Sequence, residues 1–239
     1  MAGHTIGNLL LTALADITGD FEKAIKELSE MFDVRGKVIP VTLDDIQLGI
    51  TLENGTQIIG ETNIDIPKHD ANLGIRDAFL VGGGKLNPRA REAILNSDYI
   101  IIGPGDLYTS IVPNLLIDGI REAIQESNAK ILYICNVMTK HGETNNFEVE
   151  DFVRVIEKYI GEHTIDYVLV NNAPIGEELI ERYRKFENKQ PVQITDISKF
   201  ADKSYKIVER DVVSEEDYIR HDPKKLAAII DDFVNGWIK

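Results

Sequence analysis

Apolar positions along the chain follow two rhythms, and the change falls near residue 87. From there on, short β-branched runs alternate with segments whose apolar residues recur at helical spacing. Runs over 99–102, 130–137 and 167–170 are apolar without alternation, which suits strands covered on both faces of a parallel sheet. Between them the pattern predicts helices over 88–96, 113–126, a segment carrying Phe152, Val153, Ile156 and Ile160, and 176–186. Asn87 and Pro88 supply a cap and a first helical residue. Further strands are expected over 192–195 and 205–213, and an amphipathic helix over 223–237 carries Leu226, Ile229, Ile230 and Phe233. Strands spaced by helices of this length imply βαβ crossovers.

Before residue 87 the rhythm is different. Leu9, Leu10, Leu11, Leu14 and Ile17 predict a helix, and Asp20 caps a second one striped by Phe21, Ile25 and Leu28. Val38, Ile39, Val41 and Leu43 predict a strand, and Ile46, Leu48, Ile50 and Leu52 alternate as in a half-buried one. Asn54-Gly55 is a hairpin signal, with a return strand from Gln57 to Glu61. A polar loop over 63–74 precedes a strand over 75–81. Gly82-Gly83-Gly84 reads as a connection, because Lys85-Leu86-Asn87 separates it from the next helix. The predicted architecture is one α/β domain over 1–239: a Rossmann-like, mostly parallel sheet with helices on both faces. A small antiparallel β-meander is inserted at about 37–66.

The formal net charge of −14, from 26 Lys and Arg against 40 Asp and Glu, argues against nucleic acid and anionic membranes as partners. No stretch approaches the ~20 apolar residues of a membrane span, and no signal peptide is evident. Cys135 is the one cysteine, so no intrachain disulfide forms, which suits the cytoplasm.

Three loops follow apolar strands directly and are expected at one edge of the sheet, where open α/β sheets hold ligands. The first contains Gly103, Pro104, Gly105, Asp106, Tyr108, Thr109 and Ser110. Its glycines admit close backbone approach and its hydroxyls suit an anion, although Gly-Pro-Gly alone also marks an ordinary turn. The second offers Asn136, Thr139, Lys140, His141 and Glu143, suited to phosphate and sugar oxygens; a plain surface loop has the same composition. The third carries Asn171 and Asn172, which read a base or sugar edge or cap locally. His4, Gly7 and Asn8 open the chain with an imidazole and an amide at a helix start, and Arg220 precedes the Asp222 cap of the last helix. Arg220 suits a phosphate or a surface carboxylate equally.

Gly3-His4-Thr5-Ile6-Gly7-Asn8-Leu9, Thr18-Gly19-Asp20-Phe21 and Arg35-Gly36-Lys37-Val38-Ile39-Pro40 resemble the YvcK/CofD-like family. So do Gly103-Pro104-Gly105-Asp106-Leu107-Tyr108-Thr109-Ser110, Pro113-Asn114-Leu115-Leu116, Cys135-Asn136-Val137-Met138-Thr139, Gly142-Glu143-Thr144 and Ile219-Arg220-His221-Asp222. The resemblance is nearer the gluconeogenesis-factor branch than the transferase branch. It implies a Rossmann-like fold and a cytoplasmic regulator that binds UDP-sugars and affects central carbon metabolism, cell shape and wall homeostasis. The related transferases join a phospholactyl-type group, activated on guanosine diphosphate, to the deazaflavin Fo with Mg²⁺.

Relative to the family the chain opens without a first strand and its Gly-Gly-Gly-Thr-Gly-type loop, and Pro223 stands where relatives carry a phosphorylatable Thr. Weakened nucleotide binding or self-association is expected from that opening. The reading is therefore a UDP-sugar or nucleotide-diphosphate binder to which no enzymatic activity is assigned, with no cofactor assigned unless it is transferase-like and uses Mg²⁺, and with self-association into a homo-oligomer open to it. In it the ligand meets His4, Gly7, Asn8, the first loop, Asn136, Thr139, Lys140, Glu143, Asn172 and Arg220. The alternative is a Mg²⁺-dependent phosphotransferase of the 2-phospho-L-lactate transferase type acting on Fo.

Overall fold

A computed structural model describes residues 5–192, 194, 197–214 and 218–236. Its centre is a parallel sheet with strands in the order β4 (Tyr99–Ile102), β5 (Lys130–Ile134), β6 (Tyr167–Asn171) and β7 (Lys206–Arg210). The β4–β5 register pairs Tyr99 with Lys130 and Ile102 with Tyr133; β6–β7 pairs Tyr167 with Lys206.

The unbroken apolar runs have a direct explanation, since side chains alternate between the faces of a sheet and here both faces are covered. Ile131, Tyr133 and Cys135 share one core with Val112 and Leu115 of α5 (Val112–Leu115), Ile120 and Ile124 of α6 (Ile120–Glu126), and Phe152, Val153, Ile156 and Ile160 of α7 (Val149–Ile160). Leu132, Ile134, Leu169 and Val208 face the other way, onto Tyr183 of α8 (Glu177–Glu187) and Leu226, Ile229 and Phe233 of α9 (Pro223–Val234). Helices therefore cover both faces of the parallel sheet, as the sequence pattern predicts.

The front of the chain departs from expectation in its pairing. α1 (Ile6–Thr18) and α2 (Phe21–Met31) pack against each other. The apolar residues 38–43 form no strand. β1 (Gln47–Leu52) pairs antiparallel with β2 (Gln57–Ile59) through the Asn54-Gly55 turn, and also with β3 (Ile75–Val81). The run 75–81 thus completes a separate three-stranded antiparallel sheet. Its alternate residues pack on one face, which a local pattern cannot distinguish from membership of the parallel sheet. β1 is also more buried than a half-exposed strand, because Gly49 receives the Phe79 ring; a Cβ there would lie 2.5 Å from it. Within the expected polar loop, α3 (Glu61–Asp65) forms a short helix that anchors Ile64 in the core.

Other boundaries shift as well. The helix expected over 113–126 is interrupted at Gly119, whose φ of +94° is left-handed, and it splits into α5 and α6. β5 ends at Ile134, short of 137. The strand expected over 205–213 divides into β7 and β8 (Val213–Ser214), because β8 turns away to pair with β9 (Arg220–His221). Val192 is buried but lies in no strand, and residues 193 and 195 of that expected strand lie outside the described residues. β4, read as interior from its apolar run, is an edge strand, since covered faces say nothing about a lateral neighbour.

α9 starts where the sequence places its cap. Asp222 accepts from the backbone N–H groups of Lys224 and Lys225 at 2.8 and 3.1 Å, and these bonds hold its carboxyl below the usual range. Asp222→Ala is expected to lower the midpoint of a denaturant titration, with Asp222→Asn close to wild type.

Candidate functional site

The first loop leaves β4 through a sharp turn at Gly103. Its φ of +86° suits glycine, and a Cβ there would stand 3.1 Å from the Ile134 carbonyl of the neighbouring strand. The chain then forms a π-helical turn over Leu107–Ile111, a wide geometry that recurs at functional sites. The Asp106 carbonyl accepts from the N–H groups of both Ser110 and Ile111.

The second loop locks onto the first. Asn136 Nδ2 donates to the Gly105 carbonyl at 2.9 Å. Glu143, with a side chain 1% exposed, receives the Tyr108 N–H at 3.2 Å and the Thr109 hydroxyl at 3.2 Å. Lys140 Nζ lies 2.7 Å from Asp106 and 2.8 Å from Glu143, and it also donates to Asp65 of α3. Burial alone would drive Lys140 toward the neutral amine, but the three carboxylates overcome this and raise its pKa. Burial raises the Glu143 carboxyl, and the Lys140 ammonium offsets that only in part.

Asp65, Asp106 and Glu143 place carboxylate oxygens within 4.8 Å of one another, a donor set that could hold a divalent cation. An ammonium already stands among them, so Mg²⁺ would fit only if Lys140 left.

Beside this knot lies a cleft of about 550 Å³ at the carboxyl end of β5. Pro104, Gly105 and Asp106 form one wall, and Asn136, Thr139 and Lys140 the floor; Tyr183 of α8 and Arg220 and His221 of β9 close it. Thr139 is buried and occupied, its hydroxyl accepting from the Gln190 N–H at 3.0 Å. Arg220 is exposed and has no ion-pair partner among the described residues. His221 Nε2 lies 3.1 Å from the Cys135 carbonyl, and burial lowers its pKa. Cys135 itself stays a thiol, its pKa pushed up to about 12 by burial.

The expected residues thus fall into distinct groups. Gly103, Pro104, Gly105, Asp106, Asn136, Thr139, Lys140 and Arg220 meet at or beside the cleft, while Tyr108, Thr109 and Glu143 brace it from within. Ser110 is exposed beyond the turn. Asn172 is exposed and outside the cleft wall, with its N–H on the Arg210 carbonyl. Gly7 and Asn8 sit at the exposed start of α1, where Thr5 caps the Asn8 N–H, and His4 lies outside the described residues. Asp65, Tyr183 and His221 were not among the expected residues. Asp65 and Tyr183 carry no motif signal, and His221 was visible only as the neighbour of Arg220.

A larger groove of about 940 Å³ runs along α7 beside the antiparallel sheet. Part of its charge is internally matched, Lys158 with Asp77, Lys203 with Glu150 and Arg154 with Asp151, whereas Arg121 of the same groove has no ion-pair partner among the described residues.

With this geometry in hand, comparison with known proteins is specific. The family model described as 2-phospho-L-lactate transferase CofD matches residues 1–213. The chain belongs to this family. It is 41% identical over 232 residues to a protein of Thermoanaerobacterium thermosulfurigenes named putative gluconeogenesis factor, covering 96% of this chain and 71% of that one. It is 37% identical over 237 residues to the gluconeogenesis factor of Bacillus subtilis (strain 168), covering 98% and 73%. Against a putative gluconeogenesis factor of a Nostoc species the identity is 39%, and the match spans 51% of that relative. A crystal structure of a UPF0052 family member from Bacillus halodurans superposes with a TM-score of 0.87 at 40% identity, over 95% of this chain and 72% of the other. The α/β architecture is that of the UPF0052 structures. Among the described residues no helix is long and apolar enough to cross a membrane.

Proposed function

We propose that this chain is a regulator of the gluconeogenesis-factor type that binds a UDP-sugar in the cytoplasm and affects central carbon metabolism, cell shape and wall homeostasis. The observation that carries the reading is Arg220, whose side chain has no ion-pair partner among the described residues, in the lining of a cleft built from two loops at the strand ends of a parallel sheet. In a chain of net charge −14 this is a local positive group suited to a diphosphate. The names of the relatives support the regulatory half of the proposal. Pro104 and Gly105 offer backbone against which phosphates can pack, and Lys140 keeps the loop in place rather than binding the ligand itself.

A second reading is favoured by the family model, which is described as a 2-phospho-L-lactate transferase. Asp65, Asp106 and Glu143 would then hold Mg²⁺ after Lys140 withdraws, and Mg²⁺ would offset phosphate charge. Calorimetric titration with UDP-glucose, UDP-N-acetylglucosamine and GDP, each with and without Mg²⁺, separates the two. Mg²⁺-independent binding of a UDP-sugar in preference to GDP is expected. Mg²⁺-dependent GDP binding together with product formation on Fo would establish the transferase instead.

A further inference from the structure

We infer that His221 reads a hydroxyl of the bound nucleotide-sugar, on the sugar or the ribose, by accepting its hydrogen bond at Nδ1. This rests on the nucleotide-sugar reading above and adds to it a group that selects the ligand. The argument begins with the other imidazole nitrogen. Nε2 lies 3.1 Å from the Cys135 carbonyl, which can only accept, so the ring proton sits on Nε2. In the neutral ring Nδ1 then carries the lone pair. Burial lowers the pKa of this imidazole and favours the neutral form. Among the described residues Nδ1 has no hydrogen-bond partner, yet it is not among the sealed, unpaired side-chain atoms, which are the two nitrogens of His69. His221 lines the cleft, and Nδ1 is the imidazole nitrogen that its bond to Cys135 leaves for a ligand there.

Several other side-chain acceptors of the cleft already carry a partner, while the exposed Tyr218 hydroxyl is a further group open to a ligand. Asp106 is bound by the Lys140 ammonium, and the Asn136 side chain is held on the Gly105 carbonyl and near the Tyr133 hydroxyl. The Thr139 hydroxyl receives the Gln190 N–H, and Glu187 pairs with Lys189. Arg220 and His221 therefore divide the ligand between them. A guanidinium without an ion-pair partner among the described residues suits the diphosphate, and an imidazole lone pair suits a hydroxyl donor and disfavours phosphate oxygens. A bare diphosphate cannot satisfy this acceptor.

The test uses two near-isosteric substitutions with the whole chain. A Gln amide places its donor near the Nε2 position, so His221→Gln keeps the bond to Cys135 and loses the acceptor at Nδ1. An Asn amide oxygen lies near the Nδ1 position, so His221→Asn keeps the acceptor and loses the bond to Cys135. By calorimetry with UDP-glucose, His221→Gln is expected to weaken binding roughly tenfold with an unchanged melting temperature. His221→Asn is expected to stay within about threefold of wild type while melting lower. Long-range ¹H–¹⁵N spectra of the wild type should show Nδ1 unprotonated at neutral pH and shifted by UDP-glucose. Unchanged affinity in His221→Gln, or a proton on Nδ1, would overturn the role of His221 and leave the nucleotide-sugar reading standing. A wild-type chain that binds neither UDP-glucose nor UDP-N-acetylglucosamine would remove that reading and the hydroxyl contact with it.

Discussion

Lys140→Met is expected to lower the stability of the fold by roughly 3–5 kcal/mol, the range seen when one partner of a buried ion pair is removed. The ammonium holds together α3, the first loop and the second loop through Asp65, Asp106 and Glu143. Asp65 and Asp106 are 46% and 45% exposed in their side chains and can turn to water, so most of the cost falls on Glu143 at 1%. At about 2–4 °C per kcal/mol for a chain of this size, the melting temperature should fall on the order of 10 °C.

The loss should also depend on pH with a definite sign. Burial raises the Glu143 carboxyl above its unfolded value even beside Lys140, and without the ammonium the rise is larger. Between the unfolded and folded pKa values the unfolded chain binds fewer protons at this group, so stability increases as pH falls through the folded pKa toward the unfolded one. Thermal melts of Lys140→Met on a descending pH series should therefore recover part of the deficit before general acid unfolding begins. Glu143→Gln added to Lys140→Met should recover much of it at neutral pH, because the amide oxygen still accepts the Tyr108 N–H. A single variant that melts like wild type would show that the three carboxylates tolerate one another without their counter-ion.

Arg220→Ala is expected to weaken UDP-sugar binding roughly ten- to hundredfold while moving stability by no more than about 0.5 kcal/mol. The two halves of this expectation have the same cause. Arg220 is exposed and its side chain has no partner among the described residues, so its truncation leaves the β8–β9 pairing intact and costs the folded chain little and the ligand much. Arg220→Lys should recover only part of the affinity, because an ammonium cannot grip a phosphate in the bidentate manner of a guanidinium. Calorimetry on the three proteins checks this. Undiminished affinity in Arg220→Ala would place the diphosphate elsewhere, with the groove along α7 as the next site to probe.

Elements whose character is set by near neighbours were legible in the amino-acid order. The doubly covered β5 and β6, the Asn54-Gly55 hairpin, the Asn87 and Asp222 caps and the stripe of α7 each depend on residues a few positions apart. The Gly103 turn was legible for the same reason. A β-branched run that meets Gly-Pro-Gly has to end, and open α/β sheets place ligands beyond such ends.

What the chain order could not disclose was which of these elements become neighbours. The run 75–81 has the pattern of a strand in either sheet; its antiparallel partner, Gln47–Leu52, is chosen by long-range packing. Lys140 looked like a free cation for a phosphate. Its engagement depends on Asp65, 75 residues away, and Asp106, 34 residues away, arriving at the same point in space. Arg220 and His221 are adjacent in sequence and polar alike, yet the side chain of one has no partner among the described residues while the other is pinned to the Cys135 carbonyl 86 residues away. The sequence by itself determined the periodic elements, the strand-end loops and the family, because these rest on local spacing and on motifs. Only the tertiary structure decided which polar groups are spent on each other and which remain for a ligand, because a hydrogen bond or ion pair is satisfied by proximity in space.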